Sequence, residues 1–232
     1  MIQDTIALIP ARGGSKGLPR KNVLTLLDKP LVAWTIEAAL SAKSIDRVFV
    51  SSDDEEILDV SIEAGADVFK RPGRYASDKA SSDSVILHAI EYFGSKGIYP
   101  KTIVLLQPTS PLRGATHIDE ALFEFHSNIA NLVISVFEPH HTPVKSYIQR
   151  EDGSITGLYS ESAPYCRRQD LPIAFQPNGA IYVIDVKAFL ELKAFPRSKV
   201  YPYKMSTDFS LDIDTQDDFD RVAKVLKKNE EL

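Results

Sequence analysis

Short apolar runs recur along the chain and predict the strands of a buried sheet. Each run is rich in β-branched or aromatic residues and is too short for a helix of ordinary length. The predicted strands are residues 5–9, 47–51, 66–71, 101–106, 132–137, 179–185 and 199–205.

Between these runs, apolar residues return at the spacing of helices that pack against a sheet. The predicted helices are residues 31–43, about 53–64, a segment ending near 93, 117–126, 186–192 and a terminal helix after 215. Ser52, Thr116 and Thr215 are the predicted caps, and an acidic residue follows Ser52 and Thr215 three positions later, as in a capping box. Because strands and helices alternate, the pattern predicts one α/β domain over residues 1–232. Its sheet should be doubly wound and mainly parallel, in three αβα layers.

The alternation lapses over about residues 138–177. This stretch has weak periodicity and a hairpin signal at Asp152-Gly153. Long irregular segments in compact domains are usually functional, so we predict an insertion that serves dimerisation and closes over a substrate. A dimer arm without substrate contact is the alternative.

Composition narrows the class of protein. The 232 residues are 44% hydrophobic and 25% charged, as in ordinary globular proteins, and the net charge of −5 argues against general nucleic-acid binding. The single cysteine, Cys166, excludes an intrachain disulfide, and we interpret it as a structural thiol. No apolar run approaches the ~18 residues of a membrane span, and the N-terminus lacks a signal segment. We therefore expect no nucleic-acid or membrane partner and a cytoplasmic location.

The first predicted strand leads into a loop with three glycines and four cations, ARGGSKGLPRKN at residues 11–22. The cations are Arg12, Lys16, Arg20 and Lys21. Glycine lets the backbone approach an anion, while backbone N–H groups and cationic side chains can hold phosphates. The spacing fits neither the Walker A loop nor the dinucleotide fingerprint. We predict a polyphosphate site, and the alternative is a surface turn with solvated cations.

An acidic pair near the C-terminus supplies the other half of the predicted chemistry. If the segment Ser-Leu-Asp-Ile-Asp at 210–214 is extended, Leu211 and Ile213 are buried while Asp212 and Asp214 project together. Two close carboxylates repel unless a cation lies between them, and Mg²⁺ combines one or two carboxylates with phosphate oxygens and water. An ordinary strand end, with Asp214 helping to cap the last helix, is the alternative, and the polyphosphate loop favours the metal.

Together the loop and the acidic pair predict phosphoryl or nucleotidyl transfer, with Arg12, Lys21 and Arg71 as the cations that neutralise the phosphates. His140 and His141 lack a third nearby ligand, so we do not assign them a metal.

Seven strings in order resemble the acylneuraminate cytidylyltransferases, the CMP-sialic acid synthetases. They are ARGGSKGLPRKN, RP at 71–72, ASDKASSDS, LLQPTSPLR, RQDLP, PNGAIY and SLDID, and they span essentially the whole chain. The resemblance implies a nucleotide-diphospho-sugar transferase-like fold, a homodimer built with the insertion, Mg²⁺ as cofactor and CTP as co-substrate. It also implies the reaction, in which a sialic-acid-like nine-carbon α-keto acid sugar attacks the α-phosphate of CTP with its anomeric hydroxyl. The products are the CMP-sugar and pyrophosphate.

The same resemblance implies the site residues. Positions matching the CTP site are Ala11, Arg12, Gly14, Ser15, Lys21, Asn22, Arg71 and Ser82. Positions matching the sugar site are Gln107, Lys145, Arg168, Gln176 and Tyr182. Asp212 and Asp214 match the metal carboxylates, and with Arg12 and Lys21 they form the implied catalytic set.

Two departures from the family bear on the substrate. Some sialic acid members have Gln-Asn where this chain has Gly13-Gly14, and some have arginine at the position of Gln176. Loss of that cation leaves sialic, legionaminic, pseudaminic and eight-carbon Kdo-type acids as alternatives. Two other classes remain open: a metal-dependent glycosyltransferase, which usually carries its Asp-x-Asp pair in mid-chain, and a non-catalytic nucleotide sensor, which needs no acidic pair.

Overall fold

The computed structural model describes residues 4–15, 17–77 and 80–230. Lys16 of the opening loop, and Asp78 and Lys79 of the segment ASDKASSDS, lie outside the described residues. The strands are β1 (Thr5–Pro10), β2 (Thr25–Leu26), β3 (Lys29–Pro30), β4 (Arg47–Ser52), β5 (Asp67–Lys70), β6 (Thr102–Leu106), β7 (Leu132–Phe137), β8 (Tyr147–Gln149), β9 (Ile155–Gly157), β10 (Gln176–Asp185) and β11 (Val200–Lys204). The α-helices are α1 (Leu31–Ser41), α2 (Glu55–Glu63), α3 (Ser82–Ser95), α4 (Ala115–Ser127), α5 (Val186–Leu192) and α6 (Gln216–Glu230).

The main sheet has the strand order β11-β7-β10-β6-β1-β4-β5. Strand β1 lies between β6 and β4, where Leu8 is opposite Phe49 of β4 and Leu105 of β6, and both pairings are parallel. Within this sheet only β10 is antiparallel to its neighbours, β6 and β7. The prediction of a mainly parallel sheet is confirmed.

Both faces of the sheet are buried, which explains why its strands are continuous apolar runs. Ala7 and Ile9 of β1 point into a cluster covered by α1, α2 and α4, whereas Ile6 and Leu8 point into a second cluster covered by α3 and α5. The helices over the two faces and the sheet between them form the three predicted αβα layers.

A third apolar cluster joins the two ends of the chain. Leu18 of the opening loop and Ile213 of the acidic segment pack with Val222 and Leu226 of α6. Residues 210–214 do not pair as a strand, but Ile213 N–H donates a hydrogen bond to the Thr109 carbonyl at 2.9 Å. The predicted alternation of side chains is nevertheless observed, since Ile213 is fully buried while Asp212 and Asp214 are exposed.

Two predicted helix caps are wrong and one is confirmed. Asp54, not Ser52, caps α2 by accepting a hydrogen bond from Ile57 N–H at 3.2 Å, so Asp53 and Asp54 precede the helix. Gly114 rather than Thr116 is the residue before α4. Thr215 does cap α6, because its Oγ1 accepts from Asp218 N–H while the Asp218 carboxylate accepts from Thr215 N–H.

The irregular segment contains the predicted hairpin. Strands β8 and β9 pair antiparallel across a turn in which Gly153 has φ of 83°. The remainder of residues 138–175 consists of short turns, such as the 3₁₀ turn Pro143–Lys145. Across the described chain, no helix combines the length and the apolar character needed to cross a bilayer.

A histidine at the start of α4 predicts acid sensitivity. Gly114 N–H donates to His117 Nδ1 at 3.0 Å, and burial lowers the pKa of His117 below its ordinary value. Because the unfolded chain takes up this proton near pH 6.5 while the folded chain resists it, stability is full above that pH and falls as the pH drops below it.

Urea unfolding at pH 7.5, 6.5 and 5.5 should therefore show a falling free energy of unfolding, and His117→Asn should flatten the fall because its amide oxygen can accept the same bond. His140→Asn, at an exposed histidine, is the matched control and should keep the wild-type slope. A His117→Asn slope equal to that of the wild type would contradict the assignment.

Candidate active site

A cleft of about 400 Å³ opens at the carboxyl edge of the sheet, where the chain leaves β1 and β6. The two strands are adjacent and parallel. The chain runs from β1 to β4 and β5 on one side of β1 and then returns to β6 on its other side, and ligands of open α/β sheets bind at such switch points. The predicted site residues that line this cleft are Arg12, Ser15, Lys21, Asn22, Arg71, Ser82, Gln107 and Asp214.

Lys21 connects the opening loop directly to the acidic segment. Its Nζ donates to the Ile213 carbonyl at 2.5 Å and to Asp214 Oδ1 at 3.0 Å. The lysine side chain is 10% exposed, whereas that of Asp214 is 74% exposed. The structure thus brings a predicted phosphate cation and a predicted metal ligand, 193 residues apart in sequence, to one wall of the cleft.

Close backbone contacts hold the opening loop in place. A Cβ at Gly17 would lie 2.2 Å from the Asp214 carbonyl oxygen, and one at Gly13 would lie 2.6 Å from Asp54 Oδ2. Asn22 Nδ2 donates to the Arg12 carbonyl at 2.9 Å, and Gly13 N–H donates to Asp53 Oδ1 at 3.1 Å. These glycines are therefore required at least in part for packing against the protein itself.

This contact predicts that Gly17→Ala destabilises the protein, because the Asp214 backbone must move away from the new methyl group. We expect the free energy of unfolding to fall by about 1–3 kcal/mol, the usual cost of forcing atoms into a packed site. Gly14→Ala is the matched control for stability, since a Cβ there meets nothing within 4 Å. Equal unfolding midpoints for the two variants would refute the role given to Gly17.

The acidic pair is an electrostatically strained site. Partial desolvation raises the pKa of Asp212, and the nearby Asp214 carboxylate raises it further, while Lys21 and the neighbouring Thr109 hydroxyl oppose the shift. A cation bound beside Asp212 would oppose both the desolvation and the repulsion from Asp214. A hard divalent ion fits this donor set, because Mg²⁺ needs only one or two carboxylates when phosphate and water complete its shell. The described residues contain no cluster of three or more His, Cys, Asp or Glu side chains suited to a metal.

Arg71 is a buried cation at the wall of the cleft. It is 4% exposed, its backbone N–H donates to the Ser52 carbonyl at 2.7 Å, and its Nε is buried without a hydrogen-bond partner among the described residues. Burial lowers the pKa of Arg71, with Asp53 raising it and the Arg12 cation lowering it. An anion in the cleft would satisfy this group.

Several predicted residues do not line the cleft. Ala11 is fully buried, and its N–H bonds to the Ser51 carbonyl, so it can offer only backbone. Tyr182 lies on β10 near Asp212, whose charge together with burial raises the tyrosine pKa. Gly14 and Asp212 are not among the lining residues either.

The remaining sugar-site candidates lie on or beside the irregular segment. Arg168 forms an exposed ion pair with Glu138 at 3.1 Å and donates to the His140 carbonyl. Lys145 ends the turn Pro143–Lys145, and Gln176 begins β10 with an exposed side chain. Within this single chain they do not meet the cleft.

Sequence reasoning missed how one cation of the opening loop is paired and that two further residues line the cleft. Arg20, counted among the loop cations, adopts φ of 57° and pairs with Asp54 and Glu56, which lowers the pKa of Asp54. Tyr75 and Thr109 also line the cleft. The sequence offered only the acidic residues at 53–56 as a signal for the Arg20 pairing. It did not show that they meet Arg20, because that depends on the order of the strands in the sheet.

Comparisons with known proteins identify a matching family and related sequences. The sequence model of a family described as "Cytidylyltransferase" matches residues 6–232. The chain is 37% identical over 224 residues to the N-acylneuraminate cytidylyltransferase of Escherichia coli O18:K1:H7, a match that covers 96% of this chain and 52% of that protein. The chain therefore spans about half the length of the curated N-acylneuraminate cytidylyltransferases that it matches.

Two other relatives match along nearly their whole length. Identity is 33% over 224 residues to the pseudaminic acid cytidylyltransferase of Campylobacter jejuni, covering 96% of both chains. It is 33% over 233 aligned positions to the CMP-N,N'-diacetyllegionaminic acid synthase of Legionella pneumophila, covering 97% of both.

Solved structures share the fold at lower identity. A CMP:2-keto-3-deoxy-manno-octonic acid synthetase complexed with CTP superposes with a TM-score of 0.74 at 16% identity, covering 97% of this chain and 99% of that one. A 4-diphosphocytidyl-2C-methyl-D-erythritol synthase from Anaerococcus prevotii gives a TM-score of 0.67 at 13% identity, with the same coverage.

Proposed function

Because the chain belongs to the cytidylyltransferase family, we propose that it transfers CMP from CTP to the anomeric hydroxyl of a sialic-acid-like nine-carbon α-keto acid sugar, releasing pyrophosphate. The observation that carries the proposal is the meeting of Lys21 with Asp214 in a cleft that also receives Arg12 and Arg71. Cations and a carboxylate that meet in one cleft suit a metal-bound triphosphate. Neither a glycosyltransferase nor a nucleotide sensor accounts for the family match as directly.

On this proposal the opening loop holds the nucleotide. Lys21, Arg12 and Arg71 neutralise the phosphates and stabilise charge on the leaving pyrophosphate, while Asn22 fixes the backbone of Arg12. The backbone of Gly14 and the hydroxyls of Ser15 and Ser82 supply further nucleotide contacts, while Ala11, whose N–H bonds to the Ser51 carbonyl, fixes the start of the loop. Asp212 and Asp214 would hold Mg²⁺, which when bound supplies positive charge to the phosphate oxygens.

The sugar would enter from the side of the cleft where Gln107 lies and Tyr182 approaches Asp212. The carboxylate of the sugar requires a cation. Lys145 and Arg168 are the cations that the family resemblance assigns to the sugar site, and Gln176 is assigned to the same site. Since these three do not meet the cleft in a single chain, the proposal requires that the irregular segment closes or that a second copy provides them.

A homodimer is the accompanying proposal for partners. Exposed apolar side chains are concentrated on the irregular segment, at Tyr147, Ile148, Ile155, Leu158, Tyr159, Tyr165 and Ile173. Apolar patches of this kind mark interaction surfaces. Light scattering should give twice the chain mass for the wild type, and Ile155→Glu should reduce it, whereas a wild type of single-chain mass would remove the dimer from the proposal. Use of CTP also leads us to propose a cytoplasmic location.

The decisive assay measures pyrophosphate release with CTP and Mg²⁺ against a panel of sugar acids. Sialic, legionaminic, pseudaminic and Kdo-type acids should be tested in parallel, with UTP replacing CTP as the control for the base. We expect release with at least one nine-carbon acid and CTP. Release with the eight-carbon acid alone would reassign the substrate, and none with any acid would contradict the proposed reaction.

A further inference from the structure

A fully buried arginine lies behind the cleft and is used by none of the roles above. Arg113 is 1% exposed and ends the loop that follows β6. Its guanidinium bonds to three separate elements: Nη2 donates to Thr35 Oγ1 of α1 at 2.9 Å and to the Gln107 carbonyl at 3.1 Å, and Nε donates to the Ala180 carbonyl of β10 at 3.4 Å. Within the described residues it forms no ion pair with a carboxylate, and its Nη1 has no hydrogen-bond partner.

The opposite side of the same loop faces the cleft. Gln107, Pro108 and Thr109 are lining residues. Gln107 Oε1 lies against Gly179, where a Cβ would be 3.1 Å away. The Thr109 carbonyl accepts the hydrogen bond from Ile213 N–H, so the loop also anchors the segment that carries Asp212 and Asp214.

Stability alone does not explain this arginine. A buried cation without a carboxylate partner costs more desolvation free energy than an apolar side chain of similar volume. Burial lowers the pKa of Arg113 to about 9, so the group is still a cation at neutral pH. Its planar fork can hold several oxygen acceptors at fixed relative positions, which neither lysine nor an apolar side chain can do.

We propose that Arg113 is a positioning residue for the transfer reaction, fixing the loop of residues 107–113 so that Gln107 keeps its place in the cleft and the anchored acidic segment keeps its place beside Lys21. The expected change in kcat and KM rests on the proposed function. The expected loosening of the loop does not, because it depends only on the hydrogen bonds of Arg113. Small displacements of positioned groups lower rates strongly, so the effect should be measurable without unfolding.

The principal test is Arg113→Lys, which keeps the charge and loses the fork. We expect kcat/KM to fall by roughly 10- to 100-fold, with a higher KM for the sugar acid and a lower kcat. The Kd for CTP measured by calorimetry without Mg²⁺ and without sugar should stay within about threefold, because Arg12, Lys21 and Arg71 lie outside the loop. Thr35→Val removes one acceptor far from the cleft and should shift the sugar KM in the same direction by a smaller factor.

Hydrogen–deuterium exchange provides a readout independent of the reaction. In Arg113→Lys, exchange should accelerate in residues 107–113 and at the Ile213 amide, while β4 keeps its protection. If wild type releases no pyrophosphate but the exchange change appears, the proposed function fails and the positioning role stands. Uniform acceleration across the sheet with unchanged KM values, or wild-type behaviour in both measurements, would overturn the inference.

Discussion

Replacing Lys21 with alanine should lower kcat for pyrophosphate release by roughly 10²–10³, the usual loss when one preorganised donor to a developing charge is removed. Lys21 is held rigidly, because the Ile213 carbonyl and Asp214 both accept from its Nζ. The entropy that the Lys21 side chain loses on being oriented is therefore lost during folding and not when the substrate binds. The KM for CTP should rise less than kcat falls, since the lysine charge matters most where negative charge accumulates in the transition state.

The fold should survive this substitution. The Asp214 carboxylate left behind is mostly exposed and remains solvated, so no buried charge is stranded. Lys101→Ala is the matched control, because that side chain is 72% exposed and pairs with Asp4 outside the cleft. A Lys21→Ala enzyme with wild-type kcat and normal circular dichroism would remove Lys21 from the chemistry.

The layers of the fold could be predicted from the sequence because a strand that is buried on both faces of the sheet appears as a continuous apolar run. A strand covered on both faces, such as β1, is apolar along most of its length, whereas a strand with one solvated face alternates apolar and polar residues. The direction of a strand has no such pattern. Thus β10 was predicted as a strand, but its antiparallel course between β6 and β7 depends on where the irregular segment returns the chain.

Within the cleft, chemistry was easier to predict than contacts. The types of Lys21 and Asp214 indicated a cation and a metal carboxylate, and parallel strands bring their loops to one edge. Arg20 is also a cation of the opening loop, but it does not line the cleft and pairs with Asp54 and Glu56. Arg113, a charged residue in a proline-rich loop, looks solvated in the sequence and is instead buried. Only packing distinguishes these cases.

Asp212→Asn and Asp214→Asn should each raise the Mg²⁺ concentration for half-maximal activity at least about tenfold and lower kcat by roughly 10²-fold, because on the proposed function each removes one anionic ligand. The two variants separate metal binding from lysine positioning. Asp214 bonds Lys21, whereas Lys21 makes no hydrogen bond with Asp212 among the described residues. If the pair served only to orient Lys21, Asp212→Asn would be nearly neutral.

Titration of activity with Mg²⁺, at saturating CTP and sugar acid, measures both effects. Asp217→Asn is the matched control, since it deletes the same charge at an exposed site in the first turn of α6. We expect the control to keep the wild-type Mg²⁺ midpoint. A parallel shift in Asp217→Asn would attribute the effect to the general field of this acidic region, and an unchanged midpoint in both site variants would exclude the acidic pair as the metal ligands.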